Sequence, residues 1–198
     1  MDLWAGGPPP ASAAYTTITT WHNKGEGVVH RGDTYHWTKD RQFEPFLDLP
    51  RRRGARFEVA VDTDVDTSRR LGEMGWSQSS AADASTDVAR YRAYITRSRA
   101  EFTVARDQYV RPWTGWFSDR SACYLAAGRP VVTQETGFSR VLPTGDGIFP
   151  FRTMDDVLAA IDAIETDYLH HCRAAQAIAA EHFSAESVLA SLMERARL

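Results

Sequence analysis

Residues 115–138, GWFSDRSACYLAAGRPVVTQETGF, combine side chains and backbone signals that could hold an anion. Ser118 is a favourable N-cap residue for a helix that the sequence predicts over residues 119–127. The first turn of a helix offers unpaired backbone N–H groups and the positive end of the helix dipole, and both attract phosphate. Arg120 and Ser121 lie in that turn and could add charge-assisted hydrogen bonds. The pattern therefore makes this helix start a candidate diphosphate site, although most helix N-termini bind only their cap residue.

A glycine loop after the next predicted strand is a second candidate for ligand contact. Gly128 fits the C′ position of the helix, and Pro130 prevents the helix from continuing into the strand PVVTQ. Gly137 follows that strand and can adopt a positive φ, which would let the backbone approach a sugar or phosphate closely. The predicted diphosphate-binding residues of the two segments are Phe117, Ser118, Asp119, Arg120, Ser121, Glu135, Thr136, Gly137 and Phe138.

Further candidates lie in or near the loops beside other predicted strands. Lys24, in a glycine-containing loop, could supply a second cation. Arg99 and Glu101 could reach a nucleotide or pair with each other. Trp113 and Trp116 could stack on a base or cover a sugar, because an indole has a large flat face, although Trp116 could equally fill the core. The possible base or sugar contacts are Trp21, Arg99, Glu101 and Trp113.

The sequence predicts neither a metal site nor a cofactor. It contains no H-E-x-x-H motif and no paired C-x-x-C motifs. The stretch DTDVD at residues 62–66 contains Asp-x-Asp and could hold a cation, but aspartates that follow a strand more often cap a helix. The same stretch begins like a calcium loop with Glu73 at its twelfth position, yet Thr67 stands where such a loop requires glycine.

The elements that must position these residues alternate between strand and helix. The sequence predicts strands in its apolar and β-branched segments and amphipathic helices between them. The predicted strands are YTTITT from Tyr15, RFEVAVD from Arg56, EFTVA from Glu101 and PVVTQ from Pro130. Such alternation favours a parallel sheet with helices on both faces. We therefore predict a Rossmann-like α/β fold.

The last third of the chain is predicted to be helical. Thr153 and Asp156 form a start that resembles a capping box, and Asp167 and Ser184 are candidate caps for the next two helices. Ligands of parallel α/β sheets bind at the carboxyl ends of the strands. The loops expected at that edge are residues 21–27, 62–68, 106–118 and 135–139.

Length and composition limit both fold and function. A chain of 198 residues, 43% hydrophobic and 25% charged, is typical of one globular domain. Residues 1–14, rich in Gly and Pro, are predicted to be a flexible segment, and residues 15–198 a single domain. A net charge of −3 favours no nucleic-acid partner, and no apolar run reaches the ~18 residues of a membrane span. Two separated cysteines and the lack of a signal-peptide pattern predict a cytoplasmic location.

Residues 115–138 resemble the donor-binding signature of the nucleotide-binding C-terminal domain of GT-B glycosyltransferases. The resemblance is strongest to a bacterial group related to spore-protein-type transferases, whose members carry tryptophan, phenylalanine, Ser-Asp-Arg-Ser and then a glycine before Arg-Pro-Val-Val. It extends over most of the chain, through FLDLPRRRGARFEVAV, SRAEFTVAR, LPTGDGIFPF and AEHFSAESVL. It implies a domain that binds a nucleotide-diphosphate sugar and works with a separate acceptor-binding domain or partner chain, on which any catalytic base would lie.

One departure from the family pattern affects the expected chemistry. Many retaining members carry two glutamates eight positions apart around this helix, and Gly115 and Cys123 occupy those positions here. Neither residue can accept hydrogen bonds from a diol as a carboxylate does. The resemblance then implies electrostatic catalysis, in which helix N–H groups and Arg120 stabilise the leaving diphosphate without a metal.

Two functions follow from these observations. The first is the donor-binding domain of a GT-B glycosyltransferase, with a nucleotide sugar as its substrate. The alternative is a non-catalytic module, derived from such an enzyme, that binds sugar nucleotides or another protein. A dinucleotide dehydrogenase and an α/β-hydrolase are disfavoured because the chain has neither G-x-G-x-x-G after a strand nor G-x-S-x-G.

Overall fold

The computed structural model describes residues 2–4, 7, 13–22, 25 and 27–196, which contain eight strands and ten α-helices. The strands are β1 (Tyr15–Ile18), β2 (Val28–His30), β3 (Asp33–Tyr35), β4 (Phe57–Ala60), β5 (Ser77–Ser79), β6 (Ala100–Thr103), β7 (Val131–Gln134) and β8 (Ile148–Phe151). The helices are α1 (Asp40–Phe43), α2 (Leu49–Arg52), α3 (Val65–Glu73), α4 (Ala81–Ser85), α5 (Val88–Arg97), α6 (Asp107–Val110), α7 (Asp119–Ala126), α8 (Met154–Thr166), α9 (Tyr168–Phe183) and α10 (Ala185–Ala196). Single turns of 3₁₀ helix lie at Asp2–Trp4, Glu44–Phe46 and Phe138–Arg140.

Six of the strands form one parallel sheet in the order β5-β4-β1-β6-β7-β8. The chain runs outward from β1 through β4 to β5 and then returns to the other side of β1 with β6. Strand order therefore reverses between β1 and β6, and a crevice opens at the carboxyl ends of strands at such a reversal. The predicted Rossmann-like fold is confirmed, as is the helical last third.

The central strands are buried on both faces, as expected for a parallel sheet covered by helices. Every residue of β1, β6 and β7 is buried. On one face an aromatic cluster surrounds Phe102, whose ring lies 5.4 Å from that of Phe151 and 5.9 Å from that of Trp76. On the other face α7 and α9 pack together through Tyr124, Leu125 and neighbouring apolar side chains. Burial of these side chains fixes the sheet that carries the site.

The predicted helix ends agree closely with the structure. Gly128 adopts φ +67° directly after α7, as a C′ glycine does. Thr153 and Asp156 form a reciprocal capping box at α8. The Asp167 side chain accepts a hydrogen bond from the backbone of α9, and Ser184 accepts one from Ser187 N at 3.2 Å. Local polar residues therefore determine where the last four helices begin or end.

Strands β2, β3 and β5 were not predicted from the sequence. β2 and β3 form a hairpin within the segment expected to be a loop, and its turn residues Arg31 and Gly32 have φ of +52° and +86°. A two-residue turn with two positive φ angles is typical of a type I′ hairpin. β5 is a polar edge strand, with Ser77 and Gln78 exposed, so it lacks the apolar pattern on which strand prediction depends.

Part of the segment predicted to be flexible contacts the domain in the structure. The Trp4 ring packs edge-on against Tyr91 with a centroid distance of 6.0 Å. Arg129 Nη2 donates a hydrogen bond to the carbonyl oxygen of Gly7 at 2.7 Å. These contacts place residues 2–4 and 7 beside α5 and the start of β7.

Candidate functional site

A cleft of about 340 Å³ opens at the carboxyl ends of β1 and β6, where strand order reverses. Its floor is formed by residues 18–20, at the carboxyl end of β1, and one wall by the first turn of α7. The charged and polar side chains that line it are Thr19, Thr20, Lys39, Ser85, Arg106, Ser118 and Arg120, and its aromatic side chains are Tyr109 and Trp116. Among the described residues of this lining, three are cations and none is an acid. The cleft is thus suited to an anion.

Arg120 joins the cleft to the sheet through three hydrogen bonds. Its Nε lies 2.5 Å from Glu101 Oε1, its Nη1 donates to the carbonyl oxygen of Ile18 at 2.7 Å, and its Nη2 donates to Thr103 Oγ1 at 2.7 Å. Burial tends to lower the pKa of Arg120, but the charge and hydrogen bond of Glu101 raise it overall, so the guanidinium stays charged. A guanidinium has five N–H donors, and these three bonds leave capacity for a ligand.

Glu101 is the buried counter-charge of this arginine. The residue is fully buried in β6, and its Oε2 has no hydrogen-bond partner in the described part of the chain. An unpaired buried carboxylate is costly, so the ion pair with Arg120 is required once either residue is present. Glu101 therefore holds the guanidinium in place at the floor of the cleft and does not face the ligand space as a free acid.

Lys39 is a buried cation of the cleft whose pKa is lowered. It precedes α1 and is 7% exposed. Burial, together with the positive charges of Arg120 and Arg106, lowers its pKa to about 7, and the opposing effect of Glu101 does not restore it. A phosphate in the cleft would reverse this balance, because a nearby negative charge favours the ammonium form.

The third cation and the aromatic wall complete the cleft. Arg106 follows β6 as the N-cap residue of α6, and its guanidinium carbon lies 4.3 Å from the centroid of the Trp37 ring. Tyr109 and Trp116 stack with centroids 4.8 Å apart and an interplanar angle of 11°. This pair presents a flat aromatic surface beside the cations, which suits the face of a base or sugar ring.

The first turn of α7 has polar groups that the helix itself does not use. Ser118 is the N-cap residue, as predicted, but its side chain makes no cap hydrogen bond within the described residues and instead lines the cleft. The Ser121 hydroxyl is buried and has no hydrogen-bond partner among them. Asp119 is exposed. The predicted helix N-terminus therefore does face the cleft, through Ser118 and Arg120.

The glycine loop after β7 is held by its own contacts. Glu135 is buried, and its Oε1 accepts a hydrogen bond from Gly137 N at 2.5 Å. Thr136 Oγ1 donates to the carbonyl oxygen of Trp116 at 2.5 Å. Gly137 has φ +99°, and a Cβ there would lie 3.1 Å from the carbonyl oxygen of Trp113, so glycine is needed for this turn. These contacts connect the loop to residues 113–116, beside the cleft.

Phe117 and Phe138, which the sequence analysis placed among the phosphate contacts, are packing residues. The centroids of their rings lie 5.3 Å apart. The Phe117 ring also stacks on that of Phe183 with a centroid distance of 5.4 Å. Phe138 is 2% exposed. An aromatic ring buried among other rings offers no donor to a phosphate, so these two residues support the loop and helix end.

Three other predicted residues lie away from the cleft lining. Arg99 precedes β6 at the opposite edge of the sheet and pairs with Glu165 at 2.5 Å, so the suggested Arg99–Glu101 pair does not form. Trp21 is 6% exposed and packs on Phe43 in the core. Trp113 is 36% exposed, with the guanidinium groups of two arginines over its ring. Lys24 lies outside the described residues.

Lys39 and Arg106 are the site residues that sequence reasoning missed. Arg106 begins one of the loops expected at the ligand edge, so its position was foreseen but its charge was not used. Lys39 is a lone lysine before a four-residue helix, and only the tertiary fold brings it next to Arg120. Neither residue belongs to a local motif that could have singled it out.

Two aspartates of the Asp-x-Asp segment accept hydrogen bonds at helix starts, and the third forms an ion pair. Asp64 accepts hydrogen bonds from Thr67 N at 2.9 Å and Thr67 Oγ1 at 2.8 Å, which fixes the start of α3 and lowers the pKa of Asp64. Asp62 accepts a hydrogen bond from Ala82 N at 2.8 Å. Asp66 pairs with Arg69 at 2.9 Å. Each carboxylate has a structural partner, in agreement with the capping interpretation.

The comparisons with known proteins agree with this architecture. The GtfA/B complex superposes with a TM-score of 0.54 at 12% identity over 94% of this chain, and TarM with 0.53 at 11% identity over 95%. The chain spans 36% of the length of each of those chains. Comparison with curated protein sequences gives no significant match. Within the described residues, no helix is both long and apolar enough to cross a bilayer.

The family assignment rests on sequence. Residues 41–197, well over half of the chain, match the model of the glycosyl transferase-like family. That span begins in α1 and includes β4 to β8, and so contains both the Arg120–Glu101 pair and Arg106, with Lys39 just before it. The chain belongs to the glycosyl transferase-like family.

Proposed function

We propose that this chain is the donor-binding domain of a GT-B glycosyltransferase, of the bacterial spore-protein-related group and cytoplasmic, and that the cleft holds the diphosphate of a nucleotide-diphosphate sugar. The observation that carries the proposal is the convergence of Lys39, Arg106 and Arg120 on a cleft that no described acid lines. Two phosphate groups would offset this excess positive charge, and charge-assisted hydrogen bonds are the stronger class of hydrogen bond.

Each part of the cleft has a role in this proposal. Lys39 and Arg106 contact the phosphate oxygens. Arg120 adds the N–H groups that its bonds to Glu101, Thr103 and the Ile18 carbonyl leave free. Ser118 offers a hydroxyl at the positive end of α7. The stacked pair of Tyr109 and Trp116 covers the base or the sugar ring.

The size of the cleft supports a donor site that a second domain completes. Ligand pockets commonly measure about 300–1,000 Å³, so 340 Å³ is near the lower end and suits a diphosphate with one attached ring. The chain spans 36% of the solved structures that it matches. We therefore propose that an acceptor-binding domain, in the same protein or in a partner chain, faces this edge of the sheet and covers the rest of the donor.

The catalytic contribution of this domain would be electrostatic. When the bond between the sugar carbon and the phosphate oxygen breaks, negative charge collects on the leaving diphosphate. Lys39, Arg106 and Arg120 are fixed in position before that charge develops, so they stabilise it without reorganisation. The acceptor hydroxyl and its base are expected on the other domain, so transfer needs both.

The alternative, a non-catalytic module that binds sugar nucleotides or a partner protein, is favoured by one specific observation. Gly115 and Cys123 stand where the family resemblance expects donor-contacting glutamates, and the structure uses Gly115 in the backbone contact of its N–H with Thr136 O at 2.8 Å. A binding module predicts nucleotide affinity, or complex formation, without sugar release.

The proposal is tested by calorimetric titration of the protein with UDP, TDP, GDP and ADP and with their sugar conjugates. We expect saturable binding of one nucleotide class, weakened by Arg106→Gln and unaffected by Arg173→Gln, which changes an exposed arginine on α9. Equal affinity in both variants would remove the cleft as the site. Release or transfer of the sugar once an acceptor-binding domain or partner chain is supplied then separates an enzyme from a binding module.

A further inference from the structure

Three potential metal ligands lie together at the edge of the sheet opposite the donor cleft. Asp146 occupies the turn that precedes β8, and His170 and His171 lie in the first turn of α9. Asp146 Oδ1 lies 2.9 Å from His170 Nε2 and 3.5 Å from His171 Nδ1. One ligand atom from each residue lies within 4.8 Å of the others. None of the three takes part in the proposed donor site.

The backbone holds Asp146 firmly against α9. Gly145 and Gly147, on either side of it, have φ of +98° and +72°, which glycine adopts without strain. A Cβ on Gly147 would lie 2.6 Å from the backbone nitrogen of Ala175, so this turn and the helix touch directly. Asp167 caps the same helix through His170 N at 3.1 Å. The carboxylate and the two imidazoles are therefore placed by rigid elements.

His171 gives an independent sign that a ligand is expected. It is 6% exposed, and its Nδ1 is buried without a hydrogen-bond partner in the described chain. Its ring packs edge-on against Phe149 at 5.1 Å, which fixes the direction of that nitrogen. A buried ring nitrogen without a partner is unfavourable. The nearest acidic oxygen is Asp146 Oδ1, which at 3.5 Å makes no hydrogen bond with this nitrogen.

The chemistry and spacing of these atoms suit one class of ion. Two imidazole nitrogens and one carboxylate oxygen are a common ligand set for Zn²⁺, which binds them at about 2.0–2.2 Å. A tetrahedral ion at that distance separates its ligand atoms by about 3.4 Å. Asp146 Oδ1 lies 2.9 and 3.5 Å from the two imidazole nitrogens. His170 and Asp146 are about half exposed, so an ion can enter and water can fill the fourth position. We propose that Asp146, His170 and His171 form a Zn²⁺ site that clamps the turn before β8 to α9.

The test uses the full chain without a histidine tag. Calorimetry with ZnCl₂ is expected to show one saturable site, and thermal unfolding in ZnCl₂ to occur at a higher temperature than in MgCl₂. His170→Ala should fold, because His170 is exposed, and should lower the Zn²⁺ affinity by about tenfold or more. Asp146→Asn should act in the same direction.

Two other histidines, His182 and His22, serve as controls for His170→Ala. His182→Ala, on the same helix beside Glu181, should leave the affinity unchanged. X-ray absorption of the Zn²⁺ complex should show two imidazole ligands, falling to one in His170→Ala. The proposal is overturned if Zn²⁺ does not bind saturably or if His170→Ala binds it as the parent does. It is also overturned if the affinity is lost instead in His22→Ala, whose ring lies near Asp40 and Asp64.

Discussion

The amino and carboxyl ends of the strands in the central sheet differ in how their buried charges are paired. At the amino end of β6, Arg99 pairs with Glu165 at 2.5 Å and lies over the Tyr168 ring, and Tyr15 donates a hydrogen bond to the same glutamate at 2.8 Å. At the carboxyl end, Lys39, Arg106 and Arg120 gather near one buried carboxylate. The first set is balanced within the fold, whereas the second has positive charge left over. We interpret balanced charge as structural and excess charge as a binding site.

The largest expected effect separates the two roles of Arg120. Arg120→Ala leaves the buried Glu101 carboxylate unpaired, and breaking a buried pair in this way costs about 3–5 kcal/mol. Urea unfolding measures the loss. The double variant Arg120→Ala/Glu101→Ala should recover part of it, because no buried charge then remains. A single variant that loses less than about 1 kcal/mol would contradict the structural role of the pair.

A smaller and more specific effect is expected at Lys39. Lys39→Met keeps a long unbranched side chain and removes its charge. Nucleotide-diphosphate binding should therefore weaken by about 1.5–3 kcal/mol, the scale for a hydrogen bond to a charged group. The free energy of unfolding should not fall, since burial of an ammonium is unfavourable. Titration calorimetry and urea unfolding measure the two quantities on the same sample. A variant that binds as the parent does would show that the excess charge at this edge serves another purpose.

The free energy of unfolding and the nucleotide affinity should depend on pH with opposite signs. The pKa of Lys39 is about 7 in the folded protein and near 10.4 in an unfolded chain, so between these values the unfolded chain binds more protons. The contribution of Lys39 to stability therefore rises as pH increases from 7, and below 7 the full cost of the buried ammonium is present.

Ligand affinity should follow the ammonium form instead. It should fall as pH rises above 7, by at most about tenfold for each pH unit. Binding should also take up protons near pH 8, which calorimetry detects in buffers of different ionisation enthalpy. Lys39→Met should flatten both profiles, and an unchanged profile in that variant would assign the effect to another group.

The smallest expected effect lies at the balanced edge. Arg99→Met removes a pair in which Glu165 is 41% exposed, so the free energy of unfolding should fall by about 1 kcal/mol or less. Nucleotide affinity should not change, because Arg99 is at the opposite end of β6 from the cleft. A loss of affinity in this variant with its stability retained would contradict the distinction between the two edges.

Much of the fold could be predicted from the sequence because its signals are local. Gly128 ends α7 with a positive φ, and Thr153 and Asp156 start α8 through contacts within a few residues. The apolar β-branched strand that follows Pro130 is likewise visible in the sequence. Those elements, with the rule that ligands bind at the carboxyl ends of parallel strands, predict the end of the sheet at which the cleft lies.

The composition of the site could not be predicted, because it depends on distant residues. Glu101 and Arg120 lie on different elements, and the sequence alone suggests that Glu101 pairs with Arg99. Lys39 becomes notable only when folding removes it from water and places two arginines nearby. The sequence also does not show that the rings of Phe117 and Phe138 pack against each other, because that contact joins residues on different elements.

The measurement that tests the central claim most directly is a titration of the parent protein, Lys39→Met and Arg99→Met with nucleoside diphosphates at pH 6.5, where most of Lys39 is charged. We predict that the parent and Arg99→Met bind the same nucleotide with equal affinity, and that Lys39→Met binds it at least about tenfold more weakly. If no nucleotide binds to the folded parent, or if all three proteins bind alike, the excess charge at the carboxyl edge of the sheet is not a donor site.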